Sequence, residues 1–168
     1  MIEAGLILQE AAAIYDDLNA HHVQSYGPEA RGHSARSEVI VSEGDIDYPK
    51  ATQLDAVVFT TQEAFERYAN DLKPKAIVII DEDVHVVEPP SERVYRLPLI
   101  RTGESFSSRP SLVHVVALGA LVEMSGVVTK MAIESAVKDH VPRGSEEVHL
   151  AALRAGYDLG SQARPESF

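Results

Sequence analysis

Residues 55–80 decide the fold. They read Asp55-Ala56-Val57-Val58-Phe59-Thr60, then Thr61-Gln62-Glu63-Ala64-Phe65-Glu66-Arg67-Tyr68 and on to Leu72, then Lys73-Pro74-Lys75, then Ala76-Ile77-Val78-Ile79-Ile80. The first run is short, apolar and β-branched, as a strand requires. The middle run switches to helical spacing, with Ala64, Phe65 and Tyr68 inward and Glu63, Glu66 and Arg67 outward. Thr61 is its N-cap and Lys73-Pro74 its stop. The last run is apolar on both faces, which suits a strand covered on both sides. Strand, helix and strand in this order predict a parallel pair with a right-handed crossover.

Outward from that unit the pattern continues. Residues 4–18 give an alanine-rich helix with Leu6, Ile7, Glu10, Ala11, Ile14 and Leu18 at approximate helical spacing. Residues 22–26 and Glu38–Ser42 read as strands joined by a Gly/Pro loop, a hairpin or a wider β-connection. Residues 93–99 give one more strand, ended by Pro98. Residues 111–125 are apolar almost all round and predict a buried helix, in which Gly119 permits close packing. Thr129 caps an amphipathic helix to His140. Ser145-Glu146-Glu147-Val148 opens a last helix to about Tyr157. The expectation is an α/β, three-layer Rossmann-like domain with a mixed, largely parallel sheet and a helical C-terminal part. Residues 1–168 are read as one domain, with a sheet portion over 1–100, a helical portion over 111–158 and a frayed polar tail over 160–168.

Composition narrows the function. The chain has 168 residues, 26 acidic and 15 basic side chains, a formal net charge of −11 and no cysteine. A cysteine nucleophile, a disulfide framework and a thiolate-held iron–sulfur cluster are therefore excluded within this chain. The acidic balance argues against general nucleic-acid binding and against an anionic membrane surface. No basic secretory start and no apolar run of roughly 20 residues is present, so a cytoplasmic chain is expected.

The loop from Ser25 to Ser37 is the most unusual stretch. Gly27 and Gly32 allow close backbone approach to a ligand. Arg31 and Arg36 can grip phosphate or carboxylate with paired hydrogen bonds. The alternative is a surface turn whose arginines pair with local acids. His21 and His22 are adjacent on a strand, point to opposite faces and do not suit one metal ion. Asp81-Glu82-Asp83 with His85 follows a strand end, where α/β folds place sites; acidic turn residues there also serve solvation alone. His114 reads as a hydrogen-bonded core histidine. No nucleophile elbow, P-loop or Gly-x-Gly-x-x-Gly fingerprint is present, so the residues by themselves support no independent catalysis.

The run Gln24-Ser25-Tyr26-Gly27-Pro28-Glu29-Ala30-Arg31-Gly32, followed by Arg36-Ser37-Glu38-Val39-Ile40, resembles the signature of the gamma subunit of 2-oxoacid:ferredoxin oxidoreductases. Further matches are Ile46-Asp47-Tyr48-Pro49, Leu72-Lys73-Pro74, Val116-Ala117-Leu118-Gly119-Ala120 and Leu153-Arg154-Ala155-Gly156-Tyr157, so the resemblance runs from about Ala4 to Tyr157. It is stronger to the 2-oxoglutarate-type members than to the pyruvate-type ones. It implies a complex that decarboxylates a 2-oxoacid on thiamine diphosphate and Mg2+, passes electrons through [4Fe-4S] clusters to ferredoxin and releases an acyl-CoA. Those cofactors would lie on or between the alpha, beta and ferredoxin-like subunits, with none held by this chain. The gamma subunit would lean over the active site and contribute to coenzyme A binding, with no catalytic residue of its own. The implied contacts to coenzyme A or to partner subunits are Ser25, Gly27, Glu29, Arg31, Gly32, Ser34, Arg36 and Ser37. A second copy of the chain is a further candidate partner.

Three positions depart from the family pattern. Members usually open with a strand and a Gly-x-Gly-Gly-Gln-Gly turn before the first helix, whereas this sequence starts at that helix, with Ala4-Gly5-Leu6. The sheet is therefore expected to lack its first strand and to leave an open edge. Gly32 is followed by His33 where the family has a second glycine, and His114 stands where it has asparagine. Two rival readings remain at this point. One is a non-catalytic α/β interaction module without the phosphate turn. The other is a small enzyme using the Asp81–His85 turn.

Overall fold

The computed structural model describes residues 2–26, 35–48, 51–107 and 111–167. In chain order its elements are α1 (Ile2–Glu10), which runs on as a π-helical turn over Ala11–Tyr15, β1 (Asn19–Tyr26), β2 (Ala35–Ser42), β3 (Leu54–Phe59), α2 (Gln62–Tyr68), β4 (Leu72–Asp81), β5 (Arg93–Leu97), α3 (Leu99–Phe106), α4 (Val113–Ser125), α5 (Lys130–His140) and α6 (Glu146–Gln162). The chain is of the α/β class, and it divides into two compact units. The first comprises Met1–Ala51 with Gly126–Ala151, and the second Thr52–Ser125 with Ala152–Phe168.

The second unit holds the β–α–β segment. Its three strands are all parallel, in the order β3-β4-β5. Val57 pairs with Val78, and Val78 with Val94, so β4 is central. That position explains its apolar run, because Ala76–Asp81 is buried throughout. Thr61 caps α2 by accepting from the Ala64 N–H at 3.3 Å, as its sequence predicts. Phe65 then meets Phe59 edge-on, with ring centroids 5.4 Å apart, a geometry worth about 1 kcal/mol beyond its buried area.

Two local expectations change here. Helix α2 ends at Tyr68, and Lys73-Pro74 lies inside β4 rather than at a helix stop. The Pro74 carbonyl accepts from Ser91 Oγ and from the Glu92 N–H, so the proline keeps its acceptor in use while lacking a donor. Helix α3 has no counterpart in the sequence reading. It follows Pro98 directly, and a side chain from β4 caps it from 19 positions away, a contact that no local pattern records.

Helices α4 and α6 cross at glycines. A Cβ on Gly119 would overlap the Leu153 carbonyl oxygen, and one on Gly156 would overlap the Val116 carbonyl oxygen. The close packing foreseen at Gly119 is thus a backbone-to-backbone contact with Gly156. Beyond α6 the chain is tied down rather than frayed. The Glu166 N–H donates to the Val94 carbonyl at 2.8 Å, and its carboxylate takes the Arg96 guanidinium. Among the described residues no strand joins the outer side of β3 or of β5.

In the first unit α1 buries Ala4, Gly5, Ile7 and Leu8, and the turn after it buries Ala11 and Ala12. Leu6 and Ile14, expected on the apolar face, are exposed instead. The buried stripe is made mainly of small residues, which bring the helix backbone close to its neighbours. Asp17, at φ 54°, turns the chain into β1. Asp16 then accepts from both the backbone N–H and the hydroxyl of Thr129, at 2.6 and 2.7 Å, and Thr129 caps α5 by accepting from the Ala132 N–H. No described helix is long and apolar enough to cross a membrane.

Candidate functional site

Of the contact residues singled out in the sequence, Ser25, Arg36 and Ser37 lie on the β1–β2 hairpin. Eight antiparallel pairs run from Asn19↔Ser42 to Tyr26↔Ala35. Gly27, Glu29, Arg31, Gly32 and Ser34 all fall in the connection 27–34, outside the described residues, as does His33. Ser25 is placed by its backbone opposite Arg36. Arg36 and Ser37 are adjacent on β2, so strand geometry sends their side chains to opposite faces.

On one face Arg36 forms an ion pair with Glu38, two positions along the same strand. Both side chains are mostly covered, at 19 % and 16 % exposure, so this pair is less screened than a surface one. Of the two arginines expected to grip an anion, Arg36 thus already holds a local carboxylate. An incoming anion would have to compete with Glu38 for it.

On the other face Ser37 meets His22. His22 Nε2 and Ser37 Oγ lie 2.7 Å apart, diagonally across the two strands and two residue pairs off register, on one face. Gly5 of α1 makes room for them, since a Cβ there would overlap Ser37 Oγ and come within 2.6 Å of His22 Nε2. Burial holds the His22 imidazole below its ordinary pKa, and the neighbouring His21 adds to the shift. His22 therefore favours its neutral form, which can accept from or donate to the serine. His21 is exposed and His22 half-buried, so the two histidines do diverge as expected. Sequence reasoning missed the His22–Ser37 pair. Its signal was weak: a histidine and a serine two register positions apart on two strands whose pairing was not yet fixed.

The second candidate, at the C-terminal end of β4, resolves into separate contacts made by Asp81, Glu82 and the His85 backbone. Asp81 is fully buried and accepts from the Asp83 N–H at 3.2 Å and from the Ile100 N–H at 2.9 Å. It is a cap for the first turn of α3, where a negative charge is favoured. Glu82 pairs with Arg101 at 3.3 Å. The His85 backbone is bridged by the Gln62 side chain, which accepts from its N–H at 2.8 Å and donates to its carbonyl at 3.3 Å. Asp83 is exposed. Among the described residues no group of three or more His, Cys, Asp or Glu side chains is placed to hold a metal ion. His114 is half-buried on α4.

A parallel sheet with a crossover helix between its first two strands and a separate antiparallel hairpin define an α/β protein of Rossmann-like build, with its unusual polar chemistry on the hairpin. Over residues 1–159 the chain matches the family model described as pyruvate ferredoxin/flavodoxin oxidoreductase, and it belongs to that family. It is 38% identical over 165 residues to 2-oxoglutarate synthase subunit KorC of Methanocaldococcus jannaschii, covering 96% of this chain and 88% of that protein. It is 41% identical over 167 residues to the subunit of the same name from Methanothermobacter thermautotrophicus, with 95% and 88% coverage. Among solved structures it is similar to the keto/oxoacid ferredoxin oxidoreductase gamma subunit of Geobacter sulfurreducens, at TM-score 0.83 and 38% identity, covering 97% of this chain and 91% of that one. The resemblance carried by the Ser25–Gly32 run is borne out, including its tilt toward 2-oxoglutarate-type members.

Proposed function

We propose that this chain is the gamma subunit of a cytoplasmic 2-oxoacid:ferredoxin oxidoreductase acting on 2-oxoglutarate, and that it contributes to coenzyme A binding and covers the active site of the assembled complex. The observation that carries the reading is the near full-length likeness to two subunits named for 2-oxoglutarate synthase, together with the 38% identical Geobacter gamma subunit. Alpha, beta and ferredoxin-like subunits would be its partners, with ferredoxin as the acceptor of the complex. Thiamine diphosphate and Mg2+ would supply the decarboxylation chemistry on the other subunits. The [4Fe-4S] clusters belong there as well, since a chain without cysteine offers no thiolate to hold one.

Within this chain the hairpin carries the proposed contacts. Coenzyme A is a polyanion, and this chain is strongly acidic overall, so its approach needs a local cation. Arg36 is held by Glu38, which leaves Arg31 as the arginine assigned to the ligand phosphates. Gly27 and Gly32 would let the backbone come close, and Ser25, Ser34 and Glu29 would complete the contact surface. Ser37 acts indirectly, through its bond to His22.

The test is Arg31→Ala in the assembled complex. A charge-assisted hydrogen bond is worth about 1.5–3 kcal/mol, so the apparent KM for coenzyme A should rise about tenfold or more, with the KM for the 2-oxoacid unchanged. Unaltered coenzyme A kinetics in a normally assembled complex would remove Arg31 from this role. Purification of the native chain free of large partner subunits would instead support an interaction module.

A further inference from the structure

The Arg36–Glu38 ion pair lies near the root of the hairpin connection. Tyr26↔Ala35 is the last pair before residues 27–34, and Arg36 stands one pair further in, opposite Ser25. Glu38, opposite Val23, is two positions deeper on the same face of β2. The Arg36 guanidinium meets the Glu38 carboxylate through its Nε. It is therefore drawn along the strand, away from the connection that carries Arg31. In a chain of net charge −11 that receives a polyanion, a carboxylate on this arginine opposes binding of every anion alike, unless it sorts them.

We infer that Glu38 is a specificity-determining residue: an internal carboxylate that closes Arg36 to carboxylate ligands and leaves it open to phosphate.

The inference rests on the role proposed above for this hairpin in coenzyme A binding. Glu38 is tethered to the strand that carries Arg36, so it meets the guanidinium at a high effective concentration. A free carboxylate arriving there would replace one carboxylate by another. It gains neither charge nor acceptors, and it loses translational freedom. A phosphate monoester differs, because it brings up to about two negative charges and three strong acceptor oxygens to the arginine fork. Exchange asks only for side-chain rotation, since the Glu38 backbone stays paired with Val23. The complex has to hold a 2-oxoacid and coenzyme A together, and a bare arginine would face both anions. A built-in competitor rejects the weaker one, which is how an opposing group creates selectivity. Arg31 remains the unconditional contact and Arg36 becomes the selective one.

The experiment measures the KM for coenzyme A in the assembled complex at fixed 2-oxoacid, with glutarate as the carboxylate probe. Glu38→Gln should lower that KM about fivefold, by freeing a charge-assisted contact. Added glutarate should then raise the KM in Glu38→Gln and leave it unchanged in the unmodified complex. Glu38→Asp, one methylene shorter, should shift both readouts in the same direction by less, and it serves if Glu38→Gln does not assemble. Adding Arg36→Ala to Glu38→Gln should abolish both effects. Glu43→Gln removes an exposed acid just past the end of β2 and should change neither. The inference is overturned if Glu38→Gln leaves the KM unchanged or raises it, if glutarate does not compete in that variant, or if the gain survives Arg36→Ala. Should Arg31→Ala also leave coenzyme A kinetics unaltered, the binding role of the hairpin falls and this inference with it. A normal Arg31→Ala response beside an inert Glu38→Gln removes this inference alone.

Discussion

Gly5 of α1 lies directly beneath Ser37 of β2, so close that the serine hydroxyl occupies the space where a side chain on residue 5 would begin. The first helix is thereby seated on the hairpin through backbone, with the His22–Ser37 hydrogen bond at the point of contact.

Gly5→Ala should therefore destabilise the chain. In an exposed helix interior the change would gain about 1 kcal/mol from propensity. Here the new methyl displaces both Ser37 Oγ and the His22 ring. It breaks one hydrogen bond and overpacks a close contact, at a combined cost of about 2–4 kcal/mol. The net expectation is a loss of about 1–3 kcal/mol in urea unfolding. A higher unfolding midpoint would disprove the seating.

Gly156→Ala should cost more, about 3 kcal/mol or above. Its Cβ would overlap the Val116 carbonyl oxygen and lie 2.9 Å from the Ala120 nitrogen, both backbone atoms of α4 that no rotamer change can move. Ser37 Oγ, by contrast, can rotate. The order Gly156→Ala below Gly5→Ala in thermal midpoint is the measurable consequence.

His22 should titrate below 6.5, the ordinary value for histidine, because burial and then His21 disfavour its charged form. With the folded pKa lowered, the unfolded chain binds the proton more readily. The contribution to stability is complete above the unfolded value of about 6.5 and is lost as pH falls through the folded pKa. NMR titration of the ring carbon signals checks the direction, and a His22 midpoint at or above the ordinary histidine value would contradict it.

Asp81→Ala should lower stability by about 2–3 kcal/mol, since it leaves the N–H groups of Asp83 and Ile100 without their buried acceptor. Asp81→Asn keeps one acceptor oxygen and should lose less. Calorimetry with and without added Mg2+ or Mn2+ separates a cap from a metal ligand. A cation-dependent rise in melting temperature that Asp81→Ala abolishes would restore the metal reading.

Much of the fold was legible because its signals are local. The apolar run Ala76–Ile80, the caps Thr61 and Thr129 and the buried helix around Val115–Ala120 each need only a few neighbouring residues to be recognised. Helix α3 escaped because its cap is Asp81, on a strand 19 positions earlier. The exposed Leu6 and Ile14 escaped because the buried stripe of α1 uses small residues, whose role is close approach rather than bulk.

The candidate site divides along the same line. Sequence alone singled out Ser25–Ser37, because a Gly- and Arg-rich run in an acidic chain is conspicuous and carries the family signature. It also excluded thiolate chemistry outright, since the absence of cysteine needs no coordinates. Tertiary structure decided which residues of that run act together. Strand alternation parted Arg36 from Ser37, and the register gave one to Glu38 and the other to His22. Likewise only the folded chain could turn Asp81 into a cap and join Arg96 to Glu166, 70 positions away. The physical reason is range. Propensity, capping and periodicity act within a turn or two of the chain, whereas a hydrogen bond between distant residues exists only once packing has brought its two ends together.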